Sequence, residues 1–587
     1  MRGFYAHTLF HLVRRGTGLV VLLTLTMLVS ACGGGSSGGS TPAASSAQAI
    51  SSAATSASNA IISSSNQSRS SSSASVSSSA ALVVISGSLT YDYVPHFTER
   101  NGLNYAGTVE LPIRGLVVEL LDAGNQVLMT DISTQTGTYS FTVTRDQPVR
   151  VRVKAQLLRE QNDNSARWNF KVTDNTDNNS LYAMGGSLLV ANDANAVRDL
   201  HAASGWTGNA YTQPRVAAPF AILDSIYIGV QRLVAVDGSV QLPALEFRWS
   251  PNNITADGEL ELGEIATSFY RNDLSAIYLL GGEDDDTDEY DRHVVLHEWG
   301  HYLEAELSRS DSIGGDHSGD DKLDFRVAMS EGFANAFSAM MLDDPIYRDA
   351  SGTGQEDGFQ ITVNRINNNV RGWYSEASVQ SVLYNFYVSE NNKTARDFAD
   401  IFTVITRDNY STSDAFVSIY LFAEQLREAL PGVTAGFNSL LSGQNITITD
   451  RFGAGESNSG GATINLPVYK TLPLNNTAVN VCSSNANGSY NKLGVSQFFV
   501  LNILSAGNYR ITATEFGTTS DDSDPDMYLY QRGIQLQEAI SPTVGTETLT
   551  RSLSVGTYVL ELVDDRAVRD DFNGDVLACF DVRALPN

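Results

Sequence analysis

The 587-residue chain has only three cysteines, Cys32, Cys482 and Cys579, which excludes a disulfide-dense scaffold and a cysteine-rich zinc module. Basic residues are scarce: 38 Lys and Arg stand against 66 Asp and Glu, a formal charge of −28. Such a surface repels a polyanion, so nucleic acid is not expected as a partner. Long apolar runs are missing as well, and the run near the start, Gly18 to Val29, is too short to span a bilayer. Histidines number only eight, yet three fall at four-residue intervals within HVVLHEWGHYLEAEL, His293 to Leu307.

Arg2, Arg14 and Arg15 precede the apolar run and Ser30-Ala31 follow it, the pattern of a secretory signal over residues 1–31. Val29-Ser30-Ala31-Cys32 resembles a bacterial lipoprotein signal, which implies that Cys32 becomes the lipidated first residue of the mature chain. Gly33 after it resembles lipoproteins sorted to an outer membrane. A soluble secreted protein with an incidental Cys32 is the alternative, and export holds on either reading. Losing the three arginines with the signal deepens the charge to −31. Residues 32–81 are almost wholly Gly, Ser, Ala and Thr, too poor in apolar surface to order; they read as a tether with an r.m.s. span on the order of 40 Å. With Cys32 lipidated, Cys482 and Cys579 remain as an even pair in one C-terminal segment, either a disulfide or two buried thiols.

Some 500 residues after the tether are too many for one core. Over residues 82–158, Val149, Val151 and Val153 alternate with Arg150, Arg152 and Lys154, so one sheet face is buried and the other wet, predicting an antiparallel β-sandwich. The run GLVVELLDAGNQVL followed by GTYSFTV resembles the transthyretin-like or carboxypeptidase-regulatory-like sandwiches that accompany secreted hydrolases. Residues 159–455 mix strand runs with helix-period segments such as Asp414 to Leu430 and hold every motif with chemical content. A Gly-rich break at 457–462 marks a boundary. Residues 463–587 return to strands, with Gly507-Asn508-Tyr509 and Gly556-Thr557-Tyr558 flanking Asp524-Pro525-Asp526-Met527-Tyr528-Leu529-Tyr530. That arrangement resembles the pre-peptidase C-terminal domain, a β-sandwich found beside secreted peptidases.

Asp291 is placed to N-cap a helix running from about Arg292 to Leu307. Four apart on it, His297 and His301 project from one face and can share an ion. Zinc takes neutral imidazole nitrogen and, in a catalytic site, leaves a position open for water. Glu298, one residue along, can reach that water from the side as general base and then carry the proton to a leaving amine. His293 and His297 share the spacing, but Val294 stands where their base would be, so His293 is left out. Gly300 in mid-helix costs about 1 kcal/mol relative to Ala, which calls for close packing at that turn. Ala276 to Leu280 reads as a strand that could hold an extended peptide by backbone pairing.

A metzincin would continue to a glycine and a third histidine, but Glu304 and Leu307 occupy those positions. Met329-Ser330-Glu331-Gly332-Phe333-Ala334-Asn335, with its glutamate 30 positions past His301, resembles the second helix of gluzincins, the thermolysin-like and fungalysin-like peptidases. The resemblance implies Glu331 as third zinc ligand and Asn335, where an aspartate is common, as the group holding a zinc histidine from behind. His317, within GGDHSGDDKLD, is the rival ligand. The family also places a histidine or tyrosine against the developing oxyanion; RGWYSEASVQSVLYNFY faintly resembles the fungalysin helix after that donor, and Tyr374 is chosen over Tyr384. Two acidic runs, Asp316 to Asp324 and Glu283 to Asp291, could bind calcium, but neither matches an EF-hand and solvated loops are expected. The fold expected is multidomain α+β: a mixed α/β zincin catalytic domain between two antiparallel β-sandwiches. The function expected is an exported, lipid-anchored zinc endopeptidase acting on protein or peptide, monomeric, with no membrane contact beyond the anchor. The alternative is a surface adhesin or carbohydrate-binding lipoprotein with a non-catalytic metal site.

Overall fold

A computed structural model describes residues 81–160, 163–388, 397–517, 522–572 and 574–587. The signal, Cys32 and the tether lie outside the described residues.

The alternating valines form the strand Pro148–Arg159, with Val149, Val151 and Val153 buried. It pairs antiparallel with Leu116–Asp122 on one side and with Trp168–Asp174 on the other. The sheet therefore continues through the boundary expected at 158/159. Its main path runs Phe269–Arg271, Ala276–Leu279, Leu245–Trp249, Trp168–Asp174, Pro148–Arg159, Leu116–Asp122, Val127–Ile132. Leu82–Tyr93 and Thr138–Thr144 pair in a second sheet, so the N-terminal strands do divide between two sheets. The larger sheet, however, is shared with the motif-bearing region, and one apolar core extends from Val83 through Phe170, Trp299 and Phe337 to Phe498. A separate unit over 82–158 is thus corrected: Leu157 faces Phe170 in register, and pairing across that point leaves no seam.

The strand expected to receive a peptide, Ala276–Leu279, is paired on both sides, parallel with Leu245–Trp249 and antiparallel with Phe269–Arg271. The sheet edge is Phe269–Arg271.

Among the helices that complete the core are α1 Ala218–Val236, α2 Arg292–Leu307, α3 Phe325–Leu342 and α4 Glu376–Val388. By length and composition α1 could cross a membrane, but 13 of its 19 residues are buried, which makes it a core helix. Glycines set how closely the helices approach. A Cβ on Gly300 of α2 would stand 3.2 Å from Phe337 and 3.3 Å from the Ala334 Cα of α3, the close packing its mid-helix position called for. On α3, a Cβ at Gly332 would stand 2.5 Å from the Val379 Cβ of α4.

The C-terminal strands form two sheets, one ordered Tyr469–Thr471, Gln497–Ile503, Gly556–Asp564, Pro525–Gln531, Ile534–Ala539, the other Val479–Ser484, Leu577–Pro586, Gly507–Glu515, Thr546–Leu553. They enclose a second core that includes Phe499, Ile511, Leu529, Leu560 and Phe580. Cys482 and Cys579, opposed on paired strands, are joined as a disulfide. This sandwich is fastened to the helices. Arg326 of α3 is 2% exposed and bridges Asp324 at 2.9 Å and Glu561 of the sandwich at 2.6 Å. The Gly-rich break is pinned as well: the Trp373 indole donates to the Asn458 carbonyl at 2.8 Å, and Lys322 Nζ to that of Gly460 at 2.6 Å.

Candidate metal centre

Helix α2 is buried from His293 to Glu304, so the HEWGH motif is no solvated surface. Asp291 is its N-cap residue, but its side chain makes no cap bond to the helix. Instead Asp291 Oδ2 accepts from the Ala350 N–H at 2.6 Å, and Oδ1 lies 2.8 Å from His96 Nε2.

One helical turn apart, His297 Nε2 and His301 Nε2 stand 3.1 Å from each other. Glu331 of α3 places Oε2 at 3.2 Å from the first and 3.4 Å from the second. These three buried side chains bring their ligand atoms within 4.8 Å of one another. Donors held tetrahedrally at about 2.0–2.1 Å from zinc stand about 3.3 Å apart, so the spacing fits. The far nitrogens fix the tautomers. His297 Nδ1 lies 2.9 Å from Asn335 Oδ1, and His301 Nδ1 lies 3.1 Å from Ser330 Oγ, whose proton is given to Glu304 at 2.6 Å. Each Nδ1 therefore carries the hydrogen, and each Nε2 presents a lone pair to the other. Two lone pairs and a carboxylate oxygen converging at this distance require a cation among them, either a proton or a metal. Burial disfavours charge on His301, but the carboxylates of Glu331 and Glu304 outweigh it and hold the imidazole well above the usual histidine range. Burial likewise opposes charge on Glu331, while His301 and His317 overcome it and hold the carboxyl well below its usual range. Glu298, 0% exposed, has Oε1 at 4.0 Å from His297 Nε2, beside the pair and outside the ligand set.

Residues 244–430 match the family model described as Mycolysin C-terminal domain. The matched stretch spans α2, α3 and α4 and includes His297, Glu298, His301 and Glu331. No curated protein matches the chain. Among solved structures, the pre-peptidase C-terminal domain of a Bacillus anthracis collagenase is 14% identical, covering 20% of this chain and 93% of its own, at TM-score 0.15. CorA, a surface-associated copper-binding protein of Methylomicrobium album BG8, is 8% identical with coverages of 20% and 98% at TM-score 0.16. PliG, a periplasmic inhibitor of g-type lysozyme from Aeromonas hydrophila, is 13% identical with coverages of 20% and 96% at TM-score 0.14.

Of the remaining candidates, Tyr374 and His317 fall differently from expectation. His293 is apart from the cluster, its Nε2 3.3 Å from the Asp344 carbonyl and its ring against Tyr347. The Tyr374 hydroxyl, expected to serve the oxyanion, is turned to Asn458 Oδ1 at 3.0 Å and to the Arg371 carbonyl at 3.2 Å. His317 faces the cluster. It is 4% exposed, with Nε2 at 3.4 Å from Glu331 Oε2 and 3.2 Å from Glu376 Oε2, rather than in solvent among aspartates. Burial works against charge on His317, but Glu331 and Glu376 raise it well above the usual range. Its loop is gripped by the C-terminal sandwich: Tyr490 OH donates to the Ile313 carbonyl and Asn491 Nδ2 to that of Gly314, both at 2.8 Å, and Lys492 Nζ donates to the Asp316 carbonyl. Glu376, the first residue of α4, was not foreseen; its one sequence signal is an acidic residue opening a helix two positions after Tyr374. A cavity of about 200 Å³ adjoins the cluster, lined by Tyr270, Asn272, Ser312, Ser330, His301 and Glu331. A larger one of about 460 Å³, by Tyr211, Arg215 and Trp249, includes no residue of the cluster; chemistry, not size, identifies the site.

Proposed function

We propose that the chain is an exported zinc-dependent endopeptidase, with His297, His301 and Glu331 as the metal ligands. The observation that carries the reading is the convergence of two imidazole lone pairs and a carboxylate oxygen in a buried cluster, with Glu298 alongside. Two nitrogens and one oxygen suit zinc. When bound, the ion supplies Lewis acidity toward a scissile carbonyl and lowers the pKa of a water toward about 7. Glu298 takes the proton from that water and delivers it to the departing amine. Asn335 and Ser330 hold the two imidazoles in the ligating tautomer; as an amide, Asn335 lends the ring less charge than a carboxylate in its place would. His317, held by its loop with Nδ1 at 3.0 Å from the Gly315 carbonyl and with Nε2 turned to Glu331 and Glu376, donates from Nε2 to the carbonyl oxygen as it gains charge. The edge strand Phe269–Arg271 lies beside the cavity through Tyr270, and an extended peptide can add to it by backbone hydrogen bonds. Export and a lipid anchor at Cys32 complete the reading, with the tether holding the enzyme off the headgroups.

The test is Glu298→Gln. Metal content equal to wild type and casein hydrolysis reduced by about 10² or more are expected. Undiminished cleavage would remove Glu298 as the base, and stoichiometric zinc without any cleavage in the wild type would favour a binding protein.

A further inference from the structure

The acidic run Glu283 to Asp291, expected to be solvated, turns inward after Asp285. Asp286, Asp288 and Asp349 each bring a carboxylate oxygen within 4.8 Å of the other two. Asp349 comes from the strand Ile346–Ser351, which follows α3. Asp288 is 2% exposed; its Oδ2 accepts from the Ser268 hydroxyl, and its buried Oδ1 has no hydrogen-bond partner. Asp286 Oδ1 is also buried without one. The basic groups of this region are spent elsewhere: Arg215 on Glu289, Arg348 on Asp344 at 2.7 Å, and His96 on Asp291 at 2.8 Å. Among the described residues no ion pair reaches the three aspartates. Burial first lifts all three carboxyls; the Asp349 charge comes next for Asp286 and Asp288, and Asp291 next for Asp349, which rises to about 8 although His96 opposes it. Buried carboxylates massed without a counter-charge are costly unless a cation joins them.

We propose that Asp286, Asp288 and Asp349 form a calcium site. The donors are oxygens only, with no nitrogen or sulfur, which selects a hard cation, and calcium accepts irregular sets of carboxylate, carbonyl and water oxygens that magnesium does not. Its place gives it a task. The run 283–291 leads directly into α2, and Asp349 lies just beyond the end of α3, so the ion ties the start of one helix to the exit of the other. Those helices carry His297, His301 and Glu331, and this consequence rests on the peptidase reading; calcium binding itself does not.

The experiment is calorimetric titration of CaCl2 into the full chain after treatment with EGTA, paired with thermal unfolding with and without calcium. One calcium per chain and a rise in Tm are expected. Asp288→Asn and Asp349→Asn should each weaken binding about tenfold or more and lose the rise. Each removes a carboxyl whose ionisation burial and its neighbours oppose, so their calcium-free Tm should match or exceed wild type. Asp320→Asn, on the exposed run near His317, should leave the response unchanged. Should one variant fail to fold, Asp286→Asn, at a partly exposed position, replaces it. Absence of calcium heat in wild type, or heat that persists in both cluster variants, overturns the proposal. Because neither readout uses hydrolysis, failure of the peptidase reading would leave these results unaltered.

Discussion

Gly332→Ala probes the packing that sets the site. An added Cβ would stand 2.5 Å from the Val379 Cβ and 2.8 Å from the Glu376 carbonyl oxygen. Both obstacles belong to the first turn of α4, and neither is the loose end of a side chain, so the helix itself must move. Alanine gains about 1 kcal/mol over glycine in a helix interior. Overpacking costs about 1–3 kcal/mol, and a backbone obstacle puts the cost at the upper end. The net expectation is a loss of about 2 kcal/mol. Gly300→Ala is the matched control: its contacts, at 3.2, 3.3 and 3.5 Å, ask for shifts of only tenths of an ångström, and the same helix gain offsets them to within about 1 kcal/mol of wild type. Urea unfolding followed by circular dichroism reads both. Gly332 adjoins Glu331, and Glu376 holds His317, so the shift in α4 should also weaken zinc about tenfold, measured against a chromophoric chelator. A Gly332→Ala protein as stable as wild type, with unaltered zinc affinity, would refute the claim that the α3–α4 approach positions the ligands.

Tyr374→Phe should leave hydrolysis within about twofold, whereas His317→Ala should lower kcat by about 10² or more at unchanged zinc content; the reverse ranking would restore the tyrosine as donor. Asn491→Ala combined with Lys492→Met should lower kcat while the unfolding midpoint of the C-terminal sandwich holds, and an unchanged kcat would mean the His317 loop holds itself. Burial keeps His293 neutral down to about 4. Its stabilising contribution is therefore fully present above about 6.5 and is lost as pH falls toward 4, when the unfolded chain takes a proton the folded one refuses, at up to about 1.4 kcal/mol per pH unit. His293→Gln should flatten the urea stability profile over that window; an identical profile would mean that other groups govern it.

The grouping of His297, His301 and Glu331 was legible where its logic is local. Helical periodicity places His297 and His301 on one face, the neighbouring Glu298 follows from the same register, and Gly300 announced a close partner. Glu331 and Asn335 came from resemblance to a second helix. What escaped depended on distant chain. Nothing in GGDHSGDDKLD tells that residues 490–492 hold the loop so that His317 faces Glu331, and with no histidine downstream of Glu331 a tyrosine was the natural donor. The boundary at 158/159 failed for a related reason: strand patterning reports which face is buried, not which neighbour pairs, and Pro148–Arg159 recruits Trp168–Asp174. The acidic run before α2 was misread because composition alone does not reveal that Asp286 and Asp288 meet Asp349, more than sixty positions on.

The grip of Tyr490, Asn491 and Lys492 on residues 313–316 fixes an order of events. Those hands are made about 177 residues after the loop they clasp, so a nascent chain can wind α2 and α3 early yet still lack the clasp on the His317 loop. The site is finished only when the last sandwich folds. On the proposed peptidase reading, the His317 loop stays unclasped until the C-terminal sandwich has folded, and removing residues 490–492 afterwards would release it.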